Sequence, residues 1–185
     1  MKPLLFTALA FGLAAPAFAD QKLLPAQSEV AFTSRQMGVP VDGKFRNFAA
    51  QVAFDPKKPE AAKIGITIDL ASVSLGAAES EAELAKQPWF DTRKFPQASF
   101  QSSSVKATGP GRFDVAGKLA IKGNTRDVVV PVTLAQAGTT TTATGAFTLK
   151  RLDFKIGDGE WADTSMVAND VQVKFKLALS GVGPL

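Results

Sequence analysis

Five apolar residues near the end of the chain, Val171, Val173, Phe175, Leu177 and Leu179, alternate with Gln172, Lys174 and Lys176. A period of two is the pattern of a β-strand with one face in apolar surroundings. The same period recurs upstream. Ile64, Ile66, Ile68 and Leu70 share a face, as do Val115, Gly117, Leu119 and Ile121, and Val128, Val130, Val132 and Leu134. Weaker strands are expected over 29–35, 43–54, 98–105 and 139–152. Turn-forming residues separate them: Asp55-Pro56, Gly109-Pro110-Gly111, Gly123-Asn124 and Gly157-Asp158-Gly159. About eight strands in meander order suit an all-β, closed antiparallel barrel, which leaves no open sheet edge.

Three local features interrupt this pattern. Phe147 and Leu149 are odd-numbered, whereas Leu152, Phe154 and Ile156 are even-numbered. One shared face for all five predicts a bulge or bend near Lys150-Arg151. Ser80-Glu81-Ala82-Glu83 has capping-box form, which predicts a helix over 77–87 with Ser80 as N-cap, docked by Leu84 and ended by Pro88. Trp89-Phe90 and Phe95-Pro96 follow it, so this insertion is expected to cap one barrel end. Pro131 reads as an interruption of its strand.

The front of the chain has a different character. Lys2, an uncharged apolar run from Leu4 to Ala15, and Ala17-Phe18-Ala19 form a secretory signal peptide over 1–19, with one domain over 20–185. That run is too short for a membrane core needing about 20 residues. The weakly charged signal suits a bacterium, so the expected location is the periplasm.

Composition removes whole classes of chemistry. Among the 185 residues there is no His, no Cys and no Tyr. Ser-His-Asp and Cys-His catalysis, histidine- or cysteine-held metals, and disulfides are thereby excluded. The net charge of +4 includes no basic stripe suited to nucleic acid. Asp153, Asp158, Glu160 and Asp163 gather near a glycine turn but lack the spacing of a calcium loop. The spacing of Asp69, Glu83 and Asp91 brings no two carboxylates together for acid–base work. No catalytic residue, metal or catalytic cofactor is assigned.

Alternation does not say which face is inside. A membrane barrel reverses the arrangement of a soluble one and carries interfacial aromatic girdles. With Trp only at 89 and 161, no Tyr and an interposed helix, the chain reads as a soluble barrel without stable membrane insertion. An eight-stranded barrel is either filled by its own side chains or holds one small ligand, and both remain open here. The candidate apolar lining is Phe32, Phe45, Phe48, Phe54, Ile66, Ile68 and Trp89, continuing with Phe90, Phe100, Leu119, Ile121, Phe147, Phe154 and Phe175. Arg35, Arg46 and Arg151 are candidate head-group contacts, because arginine both stacks and donates. Arg151 and Asp153 could equally form an ion pair.

The order of motifs resembles a known family. Gly43-Lys44-Phe45-Arg46-Asn47-Phe48 leads to Val52-Ala53-Phe54-Asp55. Ser72-Val73-Ser74 leads through Leu84 to Trp89-Phe90-Asp91. Phe95-Pro96 precedes Ala98-Ser99-Phe100-Gln101-Ser102. The run from Gly117 to Arg126, Lys150-Arg151-Leu152-Asp153-Phe154 and Val171-Gln172-Val173 complete the series. Together they resemble the YceI-like, polyisoprenoid-binding proteins. The chain departs at Gln36-Met37, where many members have His-Met, and at Glu81-Ala82, where others have Arg-Asp.

The resemblance implies an eight-stranded antiparallel lipocalin-like barrel with a short helical insertion. It further implies a periplasmic binding or carrier protein, often a homodimer, holding a long polyprenyl or isoprenoid-quinone chain. An enzyme acting on an isoprenoid or fatty-acid-derived lipid and a small outer-membrane barrel are the alternatives. A hydrocarbon guest needs dryness and shape: each buried methylene is worth about 0.8 kcal/mol, before the ordering cost of binding is subtracted.

Overall fold

The computed structural model describes residues 21–185. The expected signal peptide over 1–19 lies outside them. Eleven strands form one antiparallel sheet: β1 (Lys22–Leu23), β2 (Glu29–Gln36), β3 (Val39–Phe45), β4 (Phe48–Ala53), β5 (Lys63–Asp69), β6 (Val73–Ser74), β7 (Gln97–Gly109), β8 (Arg112–Ile121), β9 (Asn124–Ala137), β10 (Thr140–Lys150) and β11 (Asp170–Ser180). A single α-helix among the described residues, α1 (Ala78–Leu84), stands between β6 and β7.

The strand order is β4-β5-β7-β8-β9-β10-β11-β2-β3-β6, with β1 added beside β11. β7 to β11 form a meander, and β11 returns to pair with β2 through Phe175↔Val30 and Val173↔Phe32. The sheet therefore curls strongly. β3 and β4, on opposite sides of this path, are separated in the chain only by Arg46-Asn47. Taking them as one bent strand, and setting aside the two-residue β1 and β6, recovers the expected eight-stranded ring. Its last link is covalent, with no hydrogen-bonded ladder between β3 and β4.

The continuous strand expected over 43–54 is thus broken by a corner. That corner is held from a distance. The Arg46 and Asn47 amides donate to the Ser72 carbonyl and hydroxyl, both at 3.0 Å, and the Asp69 amide donates to the Asn47 carbonyl at 3.0 Å. Ser72 is buried in a short 3-10 turn over Leu70–Ser72, so Leu70 leaves the β5 row on which sequence placed it.

The expected bend near Lys150-Arg151 is present. β10 stops at Lys150, and Arg151–Phe154 forms a 3-10 turn closed by Lys155 at φ 54°. Leu152 therefore does not continue the strand, contrary to the expectation over 139–152. Pro131 does not interrupt β9 either. β9 pairs with β8 over Asn124–Thr133 and with β10 only over Val132–Ala137, the β9–β10 ladder ending at Gly145. From Asn124 to Pro131 one side of β9 is an unpaired edge, where proline is tolerated.

The helix is shorter than expected, and Ser80 is not its cap. It starts after Ala77 with no side-chain cap. Glu81 reaches back instead, accepting the Leu75 amide at 2.9 Å and the Gly76 amide at 3.2 Å. Those N–H bonds, Leu75 first, hold its carboxyl below the usual carboxylate range, and Arg46 reinforces them from 3.6 Å.

Candidate functional site

The apolar rows face inward. Val171, Val173 and Phe175 are half-buried, whereas Gln172, Lys174 and Lys176 between them are exposed. This is the reverse of a membrane-spanning barrel, whose outer band is apolar. No helix of the described residues is long and apolar enough to cross a membrane. The inward rows stay partly accessible because they surround empty space.

That space has two chambers. One, of about 160 Å³, is lined entirely by apolar side chains, among them Phe54, Ile66, Phe100, Val105, Phe113, Val115 and Phe175. The other, of about 150 Å³, lies beside the helical insertion and is lined by Phe32, Ser34, Phe45, Leu84, Trp89, Phe90, Ile121 and Arg151, among others. Val30, Ile68, Leu119, Phe147 and Val173 line both, so the chambers abut at the barrel's waist. An apolar cavity of about 150 Å³ stays dry and admits a benzene-sized guest; here two such volumes lie end to end.

The phenylalanines leave this hollow open because three of their rings cover glycines. A Cβ built on Gly145 would lie 2.5 Å from Phe175 Cζ, and one on Gly117 would lie 2.5 Å from Phe100 Cζ. Gly43, paired across the ladder with Phe32, would bring its Cβ to 2.8 Å from Phe32 Cε1. Each ring occupies the space a neighbouring side chain would take. Elsewhere the aromatics pack on one another: Phe32–Phe45 at 5.6 Å and Phe45–Phe90 at 6.2 Å in the helix-side chamber, and Phe54–Phe113 edge-to-face at 5.2 Å at the opposite end.

Twelve of the fourteen expected lining residues are placed on one chamber or the other. Phe48 and Phe154 are not. Phe48 is half-buried on β4 beside Val30 and Leu177, and Phe154 is packed into the core as part of the 3-10 turn. Sequence reasoning passed over Val105, Phe113, Val115 and Leu179, although Val115 and Leu179 belong to the same alternating rows. It also missed Ser34, whose signal was its place two residues beyond Phe32 in the inward row.

The three arginines part company. Arg35 is exposed and donates to the Gly38 carbonyl at 3.2 Å. Arg46 is exposed at the β3–β4 corner, donating to Ser74 Oγ at 2.7 Å. Neither lines a chamber. Arg151 lines the helix-side chamber but is 1 % exposed, and its donors are consumed. Nε bonds to the Ala168 carbonyl, Nη1 to those of Ile156 and Gly157, and Nη2 to those of Trp161 and Val167, at 2.7–3.1 Å. A guanidinium has five N–H groups, so none remains for a head group. No ion pair with Asp153 forms among the described residues. Burial pushes the Arg151 pKa down from its ordinary value; a guanidinium nonetheless stays charged. Arg151 clamps the 156–168 segment against the barrel.

Beside it, Lys122 is 7 % exposed and turns its Nζ to the carbonyls of Lys155 at 2.6 Å and Pro88 at 3.1 Å, with Asp158 Oδ2 at 3.5 Å. Trp161, within that segment, packs on Trp89 with ring centroids 5.4 Å apart. The acidic group over 153–163 does not converge: no cluster of three or more potential metal ligands occurs among the described residues.

A strongly curled antiparallel sheet wrapped around an apolar hollow, with a helical insertion at one end, defines a small-barrel protein of lipocalin-like architecture. The chain belongs to the family of the YceI-like domain, whose profile matches residues 22–179. BcnA of Burkholderia cenocepacia has a similar fold with a TM-score of 0.83 and 45% identity, over 85% of this chain and 99% of that one. A polyisoprenoid binding domain from Saccharophagus degradans shares the fold at a TM-score of 0.71 and 16% identity, over 87% of this chain and 98% of that one. A UPF0312 protein of Azotobacter vinelandii is 38% identical over 88 residues, which are 48% of this chain and 46% of the relative. The chain thus spans about half the length of the curated relatives it matches.

Proposed function

We propose that this protein binds the hydrocarbon chain of a long lipid inside its barrel and acts as a periplasmic carrier or store for it. The observation that carries this reading is the pair of abutting chambers, one of them with no polar side chain in its wall. Only an apolar guest recovers favourable contact there, since a polar one would lose its hydrogen bonds to water. A chain of ten methylene-sized units would gain about 8 kcal/mol before ordering costs. The isoprenoid class, polyprenyl or quinone-bearing, is favoured by family membership and by the polyisoprenoid binding of the domain from Saccharophagus degradans.

Binding rather than catalysis is supported by the walls themselves. Neither chamber is lined by a carboxylate, and the one cation in the lining has no free donor. Export through the signal peptide and pairing into homodimers belong to the same proposal. Fractionation and light scattering test those two parts.

The deciding experiment is native mass spectrometry on protein purified from its own host, followed by titration of the delipidated protein with polyprenols. A co-purifying lipid and saturable polyprenol binding are expected. A lipid-free protein that also rejects polyprenols would overturn the reading.

A further inference from the structure

The inner face of the β2–β3 hairpin continues past the wall of the helix-side chamber. Phe45, Gly43, Val41 and Val39 share one face of β3, and Phe45 lines that chamber. On β2, Phe32 and Ser34 line it too, and Ser34 pairs with Val41. Val41 is half-buried, and one step further along the same row Val39 is 63 % exposed. A residue on the inner face of the wall reaches solvent where the wall ends in an open rim.

Two further apolar side chains stand at this rim. Met37, at the hairpin tip, is 67 % exposed, and Met166 is 43 % exposed. The Met37 amide donates to the Met166 carbonyl at 2.8 Å, so the two residues are neighbours. They are the two methionines of the described residues, and methionine is ordinarily core material. Two other large apolar residues are exposed among the described ones, Val129 on β9 and Leu185 at the chain end, so the remaining three concentrate on this rim.

The turn does not explain Met37. Met37 and Gly38 both have positive φ, 47° and 80°, as a two-residue type I′ hairpin turn requires. Asparagine, aspartate or glycine suits the first of these positions, and a long side chain there is uncommon. A strained residue held at an exposed tip points to a contact made by its side chain. Of the charges nearby, Arg35 at the base of the same hairpin is exposed, and the Asp163 carboxylate is engaged by the Ser165 amide and hydroxyl.

We infer that Met37, Val39 and Met166 form a docking surface for a lipid bilayer, seated reversibly among the acyl chains with Arg35 facing the lipid phosphates. Continuity favours a bilayer over a protein partner. On β3 the row Val39, Val41, Gly43, Phe45 runs from rim to chamber without a polar side chain. A hydrocarbon can follow it from one dry phase to the other without crossing water, whereas a protein partner would have no use for that path. Flexible thioether side chains also adapt to a fluid surface. The contact is peripheral, not spanning. This inference rests on the lipid-binding reading and adds the source from which the guest is taken.

Two measurements separate docking from guest binding. Co-sedimentation with sucrose-loaded vesicles of phosphatidylcholine and phosphatidylethanolamine reads docking. Diphenylhexatriene, an apolar fluorescent probe, reads the hollow, first by equilibrium titration and then by its transfer from protein to vesicles. The unaltered chain should sediment with the vesicles, and the transfer rate should rise with vesicle concentration, as contact requires. Combining Met37→Gln with Met166→Gln removes two large apolar side chains from the contact. At about tenfold each, vesicle affinity should fall about a hundredfold, the transfer rate should become independent of vesicle concentration, and equilibrium probe binding should be unchanged. Both positions are exposed, so the fold is retained. Val129→Gln, on β9, is the control and should change none of these. No sedimentation together with a transfer rate independent of vesicle concentration would overturn the docking surface and leave the lipid-binding reading standing. Sedimentation unaffected by the two glutamines, or weakened equally by Val129→Gln, would overturn it as well. So would self-association in light scattering that Met37→Gln abolishes, which would assign the rim to a second copy. Failure to bind diphenylhexatriene at all would count against the lipid-binding reading and overturn the inference that rests on it.

Discussion

Phe175 lies over Gly145, its directly paired neighbour on β10, so closely that a Cβ on the glycine would come within 2.5 Å of the ring's Cζ. The ring stays along the wall because the wall has no side chain there. Glycine normally weakens a strand by about 0.5–1 kcal/mol relative to alanine. Here that loss accompanies an open lumen, and the relation is repeated at Gly117 under Phe100 and at Gly43 under Phe32.

Gly145→Ala should therefore destabilise despite its better strand propensity. Overpacking costs about 1–3 kcal/mol, more than the propensity gain, and the displaced ring moves into the hollow. Urea unfolding should show a lower midpoint, and lipid titration a weaker affinity. Gly65→Ala is the control: its Cβ would meet only the end of the Gln101 side chain, which is exposed and can turn away. Its stability should be unchanged or slightly raised.

Leu119 lines both chambers and is 8 % exposed. A larger side chain there should act as a partition. For Leu119→Trp, affinity for short chains confined to one chamber should be retained, while affinity for long chains should fall about tenfold or more, the equivalent of roughly two lost methylenes. Isothermal titration across a chain-length series reads this directly.

Arg151→Met should cost at least about 3 kcal/mol, since it leaves buried carbonyls of the 156–168 segment without donors and each such loss is worth about 1–3 kcal/mol. Arg151→Lys should recover only part of this, because an ammonium offers three donors to five carbonyls. Equilibrium denaturation gives the ranking. Hydrogen exchange should show protection lost first around Gly157 and Val167.

Glu81 predicts an acid-side signature. Its folded pKa is depressed, chiefly by the Leu75 amide. Its contribution is therefore complete above the unfolded value, about 4.3 for glutamate, and is lost as pH falls through the lower folded value. Glu81→Gln should flatten the stability profile between about pH 5 and about pH 3 and leave it parallel to the unaltered chain above that range.

The rows were legible because alternation is a local consequence of strand geometry. Val171 to Leu179 need no distant partner to declare themselves. The β3–β4 corner was hidden because its restraint is Ser72, more than twenty residues away. Arg151 misled for a related reason. As a residue beside a turn it read as a free cation, and only the fold shows its donors taken by carbonyls up to seventeen positions along the chain. Phe154 followed the parity argument correctly to a bend, but the bend carried it out of the lumen wall. The open hollow was the least legible feature. Its signal was glycine in the rows that carry phenylalanine, and that becomes meaningful only once register sets Gly43 against Phe32 and Gly145 against Phe175.

The parting of β9 from β10 leaves main-chain donors and acceptors unanswered along Asn124 to Pro131. A bare seam of this kind invites an extended segment from a stranger to stitch itself on. The chain's defence is written in the seam itself: Arg126 and Asp127 set charge beside the exposed Val129, and Pro131 withholds the hydrogen that such a graft would need.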